Sequence, residues 1–474
     1  PEQREESFDT RTRMMATIHR TDEGFLFAVK GAPEAVLHAC ARVLGESGAR
    51  GTLGDDERRA WIARSESLAA EGLRVLALAQ KTADRPDAPP YEGLTLLGLA
   101  GLDDPPRETV KAAIERCREA GVRVVMVTGD HPATAANVAR SVGITDEVQP
   151  VIVTGPELDD LTHGDRAWRD TLRTTSIFAR VAPEQKLRLV EAFQAGGDVV
   201  GMTGDGVKDA PALKKADIGI AMGRRGTEVA REASDIVLKD DAMETIVMAI
   251  EQGRTIFNNI RRFVIFLLSG NLGQIVGVSV TAMVDAPLPL LPLQILFLNL
   301  LLDVFPALAI GVAKGTGDVM HRPPRPPREP ILTGPHWLAV GGFGLSLSVS
   351  LLGVFAFALS VMEVDRRTAV TMAFLSYGFA RMWHVFNMRS VTSGVVDNDM
   401  TRNPYVWAAL ALCAGLLAAA VQVPLLQRIL ATTAPSSGQW LVIVIASLVP
   451  LALGQSALAA AAMVQRPGKG RPRH

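Results

Sequence analysis

Residues 203–213 read Thr-Gly-Asp-Gly-Val-Lys-Asp-Ala-Pro-Ala-Leu, at the end of an apolar run that begins at residue 198. Asp205 stands between two glycines, and Asp209 follows it four residues later. Mg²⁺ prefers one or two carboxylates together with phosphate oxygens and water. The stretch therefore predicts a magnesium ion beside a phosphate group, with a chance turn carrying two acids as the alternative.

The sequence around this stretch alternates predicted strands and helices from residue 94 to residue 238. Buried parallel strands are predicted by three apolar runs, at 122–127, 198–203 and 218–222. Amphipathic patterns predict the helices between them, at 108–120, 183–195 and 226–232. This order is typical of an open α/β sheet, which binds its ligands at the carboxyl ends of the strands.

Two further motifs lie at such strand ends. Thr128-Gly129-Asp130 follows the first predicted strand, where a hydroxyl and backbone amides can hold a phosphoryl oxygen. An ordinary strand-to-helix turn is the alternative for this motif. Lys186 opens a predicted helix, where a lysine can neutralise charge on a phosphoryl group. A solvated surface lysine is the alternative there.

From about residue 257 onward, long apolar runs alternate with short polar loops. A spanning helix needs about 20 largely apolar residues. Six segments meet that description, at 260–284, 290–312, 337–362, 368–387, 405–427 and 440–464. Basic residues follow the second segment and the last one, at Lys314, Arg322, Arg325, Arg328, Arg466, Lys469, Arg471 and Arg473. The positive-inside rule places both regions, and with them the soluble half, in the cytoplasm.

The composition excludes some classes of protein. The chain has 474 residues with 49 Lys and Arg against 50 Asp and Glu, and this balance argues against a nucleic-acid partner. Its three cysteines lie far apart, which argues against a disulfide framework. The first twenty residues are charged rather than apolar, so no signal peptide is predicted there.

A carboxylate within a predicted span suggests an ion site. Asp303 would be costly in a membrane without a function, and Asn299 lies on the same helix face four residues earlier. Asn271 and Gln274 on the previous span could offer oxygens to the same point, with a polar contact between helices as the alternative. Pro306 would loosen the helix and free backbone carbonyls. Such oxygen ligands suit a hard cation like Ca²⁺.

The motifs at 128–130, 186 and 203–213, in this order and spacing, resemble the haloacid-dehalogenase-type phosphorylation domain of P-type ATPases. Asp104-Pro105-Pro106-Arg107 resembles the hinge at which the nucleotide-binding domain returns to that domain. Lys30-Gly31-Ala32-Pro33-Glu34 resembles the ATP-site motif of the nucleotide-binding domain. The family implied is that of the P-type cation-transporting ATPases.

The resemblance extends into the membrane part and implies three domains. Residues 253–260 and 299–306 resemble the stalk and the sixth span of type II, calcium-pump-like members. The domains expected are a partial α+β nucleotide-binding domain over 1–85, an incomplete α/β phosphorylation domain of the haloacid-dehalogenase type over 86–245, and an all-α membrane domain with six helices over 246–474.

The same resemblance implies ATP and Mg²⁺ as cofactors and a role for each matching residue. Phe8 would stack on adenine, Lys30 would line the adenine pocket and Arg74 would reach toward the phosphates. Arg13 stands where the family usually has a lysine. The catalytic group would comprise Thr128, Gly129, Asp130, Lys186, Asp205 and Asp209, of which the last two would hold Mg²⁺.

Several positions depart from calcium pumps that have two ion sites. Gln274 replaces a Glu, Leu302 replaces a Thr, and Arg381 replaces another acid. These changes remove ligand charge and place a cation near one site, so we expect at most one Ca²⁺-like site. Mn²⁺, a monovalent ion and protons remain as alternatives. Lys208 stands where the family usually has Asn, and adds positive charge beside Asp205 and Asp209.

The string Asp-Lys-Thr-Gly-Thr, whose aspartate P-type pumps phosphorylate, does not occur in the sequence. We therefore expect the C-terminal portion of a pump, either a fragment or one part of a split protein. Its expected partners are the missing N-terminal half, the lipid bilayer and a transported cation, and its expected function is ATP-driven transport of Ca²⁺ or a similar ion through an aspartyl-phosphate intermediate. The alternative is a non-catalytic, decayed or regulatory pump fragment that binds nucleotide. The Ala- and Arg-rich composition favours a bacterial plasma membrane.

Overall fold

A computed structural model of the protein describes residues 2–45, 48–70, 73–102, 105–160, 166–315, 317–390 and 393–465. The chain separates into two compact units, Pro1–Val247 and Met248–His474. Asp104 of the predicted hinge and the four basic residues predicted for the C-terminal tail lie outside the described residues.

The first unit opens with a seven-stranded sheet. Its strands are β1 (Glu2–Asp9), β2 (Met14–Thr21), β3 (Gly24–Gly31), β4 (Cys40–Leu44), β5 (Arg50–Thr52), β6 (Arg74–Ala83) and β7 (Leu94–Leu102), in the spatial order β1-β2-β3-β6-β7-β4-β5. The helices α1 (Pro33–Ala39) and α2 (Asp55–Ala70) accompany it. Alternate strand residues such as Ala16, Val29 and Ala79 are buried in one core with Val36 and Leu37 of α1, which leaves the opposite face of these strands for a ligand.

The rest of this unit alternates short strands and helices. The helices are α3 (Thr109–Glu119), α4 (Pro132–Ser141), α5 (Gly155–Asp160), α6 (Arg166–Thr174), α7 (Pro183–Ala195), α8 (Ala210–Lys215) and α9 (Glu228–Ala233). The strands are β8 (Met126–Val127), β9 (Ile152–Thr154), β10 (Ile177–Ala179), β11 (Gly201–Gly204), β12 (Ile218–Met222) and β13 (Ile236–Leu238). All of their pairings are parallel, as the apolar runs predicted.

Two details differ from the predicted open sheet. In the described ranges the strands form two three-stranded sheets, β8-β10-β9 and β11-β12-β13, rather than one sheet. β8 contains two residues and pairs on one side alone, with a β10 of three residues. β7, which was expected to open the α/β part, pairs with β6 and β4 instead, where Leu94 and Leu96 are fully buried.

The second unit is helical. The helices are α10 (Met243–Met283), α11 (Pro292–Leu302), α12 (Phe305–Gly311), α13 (Gly334–Ser360), α14 (Arg366–His384), α15 (Pro404–Gln422), α16 (Pro424–Leu430) and α17 (Ser437–Gln465). Within the described residues, five helical stretches are long and apolar enough to cross a membrane: Met243–Met283, Pro292–Gly311, Gly334–Ser360, Pro404–Gln422 and Ser437–Met463.

The remaining expected span, 368–387, corresponds to α14 and is not one of these five. Arg381 and His384 lower its apolar character, and both are buried. Only surface that faces lipid must be apolar, whereas a helix enclosed by its neighbours can carry polar groups. Most residues of α14 are buried, which explains why this expected span can be less apolar than the other five helices.

Packing between helices also compensates for a proline in α17. Pro450 lies inside that helix and has no N–H to donate to the carbonyl of Ala446. Ser350 of α13 donates its hydroxyl to that carbonyl at 2.8 Å. The backbone acceptor released by the proline is therefore satisfied within the bundle, as a spanning helix requires.

Candidate functional site

Lys186 and Asp209 come from separate motifs and form an ion pair in the structure. Lys186 lies in the first turn of α7, which Pro183 opens. Its Nζ is 2.7 Å from Asp209 Oδ1, and the two side chains are 18% and 11% exposed. Asp209 Oδ2 also accepts from the Gly206 backbone N–H at 3.3 Å. The pair therefore links the segment after β10 with the loop after β11.

The turn Thr128–Asp130 lies beside the same segment. Thr128 Oγ1 donates to Asp130 Oδ2 at 3.0 Å, and the Asp130 N–H donates to Thr128 Oγ1 at 3.1 Å. The backbone N–H groups of Arg180 and Val181 donate to the carbonyls of Asp130 and Thr128 at 3.1 and 3.0 Å. The structure thus brings this motif next to the start of the helix that carries Lys186.

Asp205 is the carboxylate that best fits a magnesium ion. It is exposed at the carboxyl end of β11, whereas Asp209 is engaged by Lys186. The described residues contain no group of three or more His, Cys, Asp or Glu side chains placed to hold a metal. One exposed carboxylate still suits Mg²⁺, because that ion takes most of its ligands from water and phosphate. Lys208 is exposed in the same loop.

Lys30 and Arg74 lie on one face of the seven-stranded sheet. Lys30 in β3 pairs with Leu78 in β6, and residues paired across strands share a face. Arg74 precedes Leu78 by four residues in β6, so it belongs to the same face. The rise of a strand places Arg74 about 13 Å from Leu78 along β6. This spacing suits an elongated ligand with an aromatic base at one end and phosphates at the other.

Phe8 and Arg13 lie at the neighbouring edge of the sheet. The Phe8 ring in β1 is 58% exposed and offers a surface on which an aromatic base can stack. Arg13, with a φ of 54°, precedes β2 and its Nη1 donates to Glu34 Oε1 at 2.9 Å. Its carbonyl accepts from the Ala32 N–H at 3.0 Å. Arg13 is therefore attached to the segment that follows Lys30.

In the helical unit, Asp303 lies where one apolar helix is interrupted. α11 ends at Leu302 and α12 begins at Phe305. Pro306 cannot donate to the carbonyl of Leu302, because it has no N–H. The interruption agrees with the loosening that Pro306 predicted, and it places the Asp303 carboxylate beside a break in the helix.

Arg381 reaches this break from α14. Its Nη2 is 2.5 Å from Asp303 Oδ1, and its side chain is completely buried. The guanidinium also packs against Gly270 of α10, where an added Cβ would overlap it. Tyr377, one turn earlier in α14, donates its hydroxyl to the Gly270 carbonyl. The structure therefore gives Arg381 a defined partner, which the sequence could not.

Buried polar atoms without partners mark the same region. Among the described residues, Asn271 Oδ1, Gln274 Nε2 and Asn299 Oδ1 make no hydrogen bond, and neither do Nε and Nη1 of Arg381. A buried polar atom is normally paired, because leaving it unpaired costs about 1–3 kcal/mol. The oxygens of Asn271 and Asn299 can face a cation or water, whereas Gln274 Nε2 and the two Arg381 nitrogens are donors that need an acceptor such as water.

Comparison with known families identifies two matching regions. Residues 1–109 match the family model described as P-type ATPase, cytoplasmic domain N. Residues 287–457 match the one described as cation transporting ATPase, C-terminus. The first region contains Lys30 and Arg74, and the second contains Asp303 and Arg381. The chain belongs to the P-type cation-transporting ATPases.

Similar proteins carry names that agree with this family. A calcium-transporting ATPase of Bacillus subtilis is 37% identical over 449 residues, which cover 94% of this chain and 50% of that protein. Calcium-transporting ATPase 1 of Yarrowia lipolytica is 39% identical and covers 93% and 48%. The probable cation-transporting ATPase F of Mycobacterium tuberculosis is 38% identical and covers 91% and 48%. This P-type ATPase chain spans about half the length of the curated relatives it matches.

Sequence reasoning missed Asp241 of this P-type ATPase chain. Its carboxylate accepts from the backbone N–H groups of Gly223, Arg224 and Arg225 at 2.7–3.0 Å. The Arg224 N–H lowers the pKa of this carboxyl, and the N–H groups of Arg225 and Gly223 and the charge of Arg107 act in the same direction. Arg107 also donates to the Asp241 carbonyl at 2.7 Å. The glycine-bounded basic loop at 223–226 was the available signal, and Asp241 lies beyond it after β13.

Proposed function

We propose that this chain belongs to a pump that uses ATP to move one cation, Ca²⁺ or a similar divalent ion, across a membrane. The chain contributes the nucleotide face, the residues that handle the phosphoryl group and part of the ion site. The nucleophilic aspartate and the rest of the ion site come from the other half of the pump. The observation that carries this proposal is the Lys186–Asp209 pair, since it unites two motifs at the carboxyl ends of parallel strands.

In the soluble unit each residue has one role. Phe8, Arg13, Lys30 and Arg74 bind ATP along the exposed sheet face. An oxygen of the aspartate from the other half attacks the γ-phosphorus, and the bond between that phosphorus and the leaving ADP oxygen breaks. Lys186 balances the charge that develops on the phosphoryl oxygens. Thr128, Gly129 and Asp130 position one of those oxygens.

Magnesium would be held by Asp205, with Asp209 as a second carboxylate when Lys186 turns toward the phosphoryl group. When bound, the ion supplies neutralisation of phosphate charge. Asp209 otherwise keeps Lys186 at the site through their 2.7 Å contact. Lys208 weakens the hold on the ion through its like charge.

A haloacid-dehalogenase-like sheet is part of this proposal. β8 and β11 are edge strands of two parallel sheets, and each leads into a motif at its carboxyl end. A strand that pairs with both edges would join the two sheets into one and would carry the nucleophile to Lys186. Such a strand is the contribution that we expect from the missing half.

The ion site consists of Asp303 with Asn299, Asn271 and Gln274. Buried side-chain oxygens without partners on Asn271 and Asn299 support it, as does the interruption of the helix at Asp303. Arg381 already supplies one positive charge to Asp303, which supports a single divalent ion rather than two. The names of the Bacillus subtilis and Yarrowia lipolytica relatives support Ca²⁺ as that ion.

We further propose a six-span arrangement in a bacterial plasma membrane, with the soluble unit in the cytoplasm. α14 supplies the sixth span, and it is enclosed by its neighbours. The basic residues between α12 and α13 include Lys314, Arg325 and Arg328, and the positive-inside rule places them in the cytoplasm.

A second candidate function is a non-catalytic pump relative that binds nucleotide or regulates a complete pump. The Arg381–Asp303 pair favours it, because the arginine competes with a transported cation for the carboxylate. Under this function the assembled protein binds ATP but forms no phosphoenzyme.

The deciding experiment is coexpression of this chain with the upstream half of its own pump. We expect an acid-stable phosphoenzyme from ATP and ATPase activity that depends on Ca²⁺. Asp303→Asn should abolish the ion dependence, whereas Asp397→Asn, which removes the charge of an exposed salt bridge in the same unit, should leave it intact. ATP binding without phosphoenzyme would favour the non-catalytic function, and unchanged Ca²⁺ dependence in Asp303→Asn would remove Asp303 from the ion site.

A further inference from the structure

His384 is a buried residue of α14 that none of the predicted sites includes. It lies three residues beyond Arg381 and is 1% exposed. Its Nε2 is 2.9 Å from Ser269 Oγ, and its Nδ1 is 3.2 Å from Asn387 Nδ2. The ring stacks against Phe266 with centroids 5.8 Å apart. Both ring nitrogens of this histidine have a polar neighbour, so the hydrogen bonds around the ring determine which nitrogen carries the hydrogen.

The chain of hydrogen bonds that reaches His384 begins at Arg389. Arg389 Nε donates to Gln455 Oε1 at 2.8 Å, and a guanidinium can only donate. Gln455 therefore presents its Nε2 on the other side, 2.9 Å from Asn387 Oδ1 and 3.0 Å from the Phe386 carbonyl. Because a carbonyl can only accept, the Phe386 contact fixes the Gln455 amide in the same orientation independently.

The direction continues through Asn387 to the ring. With its Oδ1 accepting from Gln455, Asn387 directs Nδ2 to His384 Nδ1 and to the Pro450 carbonyl at 3.3 Å. The carbonyl again requires a donor, so the amide orientation is fixed twice. His384 Nδ1 must therefore accept, and in a neutral ring the hydrogen is on Nε2.

Ser269 is compatible with this tautomer at the opposite end. Its hydroxyl lies 2.7 Å from the Ile265 carbonyl and 3.1 Å from the Phe266 carbonyl and can donate to either of them. Its oxygen can then accept from His384 Nε2, 2.9 Å away. The contacts from Arg389 through Gln455 and Asn387 therefore assign the tautomer, and Ser269 accommodates it.

The chain of hydrogen bonds joins three helices around the face of α14 that carries Arg381. Tyr377, Arg381 and His384 share one face of this helix, and each contacts α10 at Ser269 or Gly270. On α17, Gly454 permits the approach of Asn387, since an added Cβ would overlap the Asn387 amide.

We propose that His384 is a positioning residue of the ion site. A neutral ring with its hydrogen on Nε2 holds α14 against α10, so that the Arg381 guanidinium packs on Gly270 and meets Asp303. A hydrogen on Nδ1 would point at the N–H of Asn387 Nδ2. If the Asn387 amide turned over, its Nδ2 would face the donor Gln455 Nε2. If the Gln455 amide turned over as well, its Nε2 would face the donor Arg389 Nε. The role of His384 at an ion site rests on the proposed cation transport, whereas the assignment of its tautomer does not.

The test uses the whole chain in lipid nanodiscs with ¹⁵N-labelled histidine. Nitrogen spectra distinguish protonated from unprotonated ring nitrogens, and His384→Gln identifies the His384 signals by their loss. We expect the wild type to show a protonated Nε2 and an unprotonated Nδ1. Gln455→Glu replaces the donor that faces Asn387 by an acceptor, so the Asn387 amide should turn over and Nδ1 should gain the hydrogen. Asn387→Asp should have the same effect by direct contact.

The matched control is Gln439→Glu on the same helix, α17. Gln439 Oε1 only accepts, from the Ser436 N–H at 2.7 Å, so a carboxylate preserves this bond and the His384 signals should not change. Dipolar coupling between arginine guanidinium nitrogens and aspartate carboxyl carbons provides the second readout, and Asp303→Asn identifies the Arg381–Asp303 signal. We expect that signal to weaken in Gln455→Glu and to persist in Gln439→Glu.

A wild-type ring with its hydrogen on Nδ1 would overturn the proposal. So would spectra in which both Gln455→Glu and Asn387→Asp leave the ring nitrogens and the Arg381–Asp303 coupling unchanged. A pump that fails to transport a cation would leave all these spectra as expected, so failure of the proposed function and failure of this inference are distinguishable.

Discussion

Arg381 and Asp303 form a salt bridge within the helical unit, with Nη2 and Oδ1 2.5 Å apart. The arginine side chain is fully buried and the carboxylate is 23% exposed. A charge in such a place is tolerated only when it is paired, because transfer from water costs several kcal/mol per ion. The pair therefore explains how α14 carries an arginine among buried helices, and it sets the charge at the proposed ion site.

Removal of the Asp303 charge should destabilise the helical unit strongly. Asp303→Asn leaves Arg381 buried without an anion, and breaking a buried pair in this way costs about 3–5 kcal/mol. Arg381→Met should cost less, because the carboxylate that remains is partly exposed. The double variant should be more stable than Asp303→Asn alone. The free energy of unfolding in mixed micelles measures all three.

Arg402 and Asp397 provide the control for this series. Their salt bridge lies in the same unit with side chains 73% and 67% exposed, and exposed pairs contribute about 0–1 kcal/mol. Asp397→Asn should therefore change the free energy of unfolding far less than Asp303→Asn does. Equal losses for the two aspartates would contradict the importance assigned to the buried pair.

Lys186→Met should slow phosphoenzyme formation in the assembled pump by about 10²–10³-fold, the usual effect of removing one charge-stabilising donor. Lys186 Nζ lies 2.7 Å from Asp209. Among the described residues no other cation is held at that distance, so none would replace the lost charge. Lys186→Arg should retain part of the rate because it keeps the charge. Rapid-quench measurement with labelled ATP gives these rates.

Lys215→Met is the matched control for Lys186. Lys215 pairs with Glu191 at 3.5 Å, and both side chains are nearly half exposed. Its removal should change the rate of phosphoenzyme formation less than twofold, as expected for an exposed pair. A comparable loss in the two variants would mean that Lys186 acts through stability and not at the phosphoryl group.

Local patterns predicted much of the fold. The helix expected at 183–195 is α7 (Pro183–Ala195), and the strand expected at 218–222 is β12 (Ile218–Met222). Patterns of this kind report burial along one element. They do not report which strands pair, so neither the separation into two parallel sheets nor the place of β7 could be read from them. α14 was expected as a span but is less apolar than the other five helices, because its neighbours bury most of its residues.

The sequence predicted which residues belong to the candidate site but not the contacts between them. Sequence placed Lys186 and Asp209 at strand ends, yet their ion pair depends on how α7 and the β11 loop meet. It placed a cation, Arg381, near the ion site without a partner. The chain from Arg389 to Ser269 joins residues more than a hundred positions apart. Side-chain hydrogen bonds over such separations leave no periodic signal in one sequence.

Acid should loosen the loop that Asp241 holds. Backbone N–H groups, first that of Arg224, lower the pKa of this carboxyl below the unfolded value of about 3.9. The ionised form therefore stabilises the fold above about pH 3.9, and this contribution is lost as the pH falls through the folded-state pKa. Amide exchange at Gly223, Arg224 and Arg225, corrected for intrinsic rates, should lose protection over that range. Asp241→Asn should show reduced protection that does not vary there with pH, and identical profiles for the two proteins would contradict the assignment.

Changes on the exposed sheet face should weaken ATP binding to the chain. Phe8→Ala removes a stacking surface, which contributes about 1–3 kcal/mol for an aromatic base, so the Kd should rise about 5- to 150-fold. Lys30→Met and Arg74→Met should also raise it. Lys81→Met is the matched control: Lys81 pairs with Phe27, which lies three residues before Lys30 in β3 and therefore on the opposite face. Calorimetric titration with ATP should give a wild-type Kd for this control, whereas equal weakening in all four variants would place ATP elsewhere.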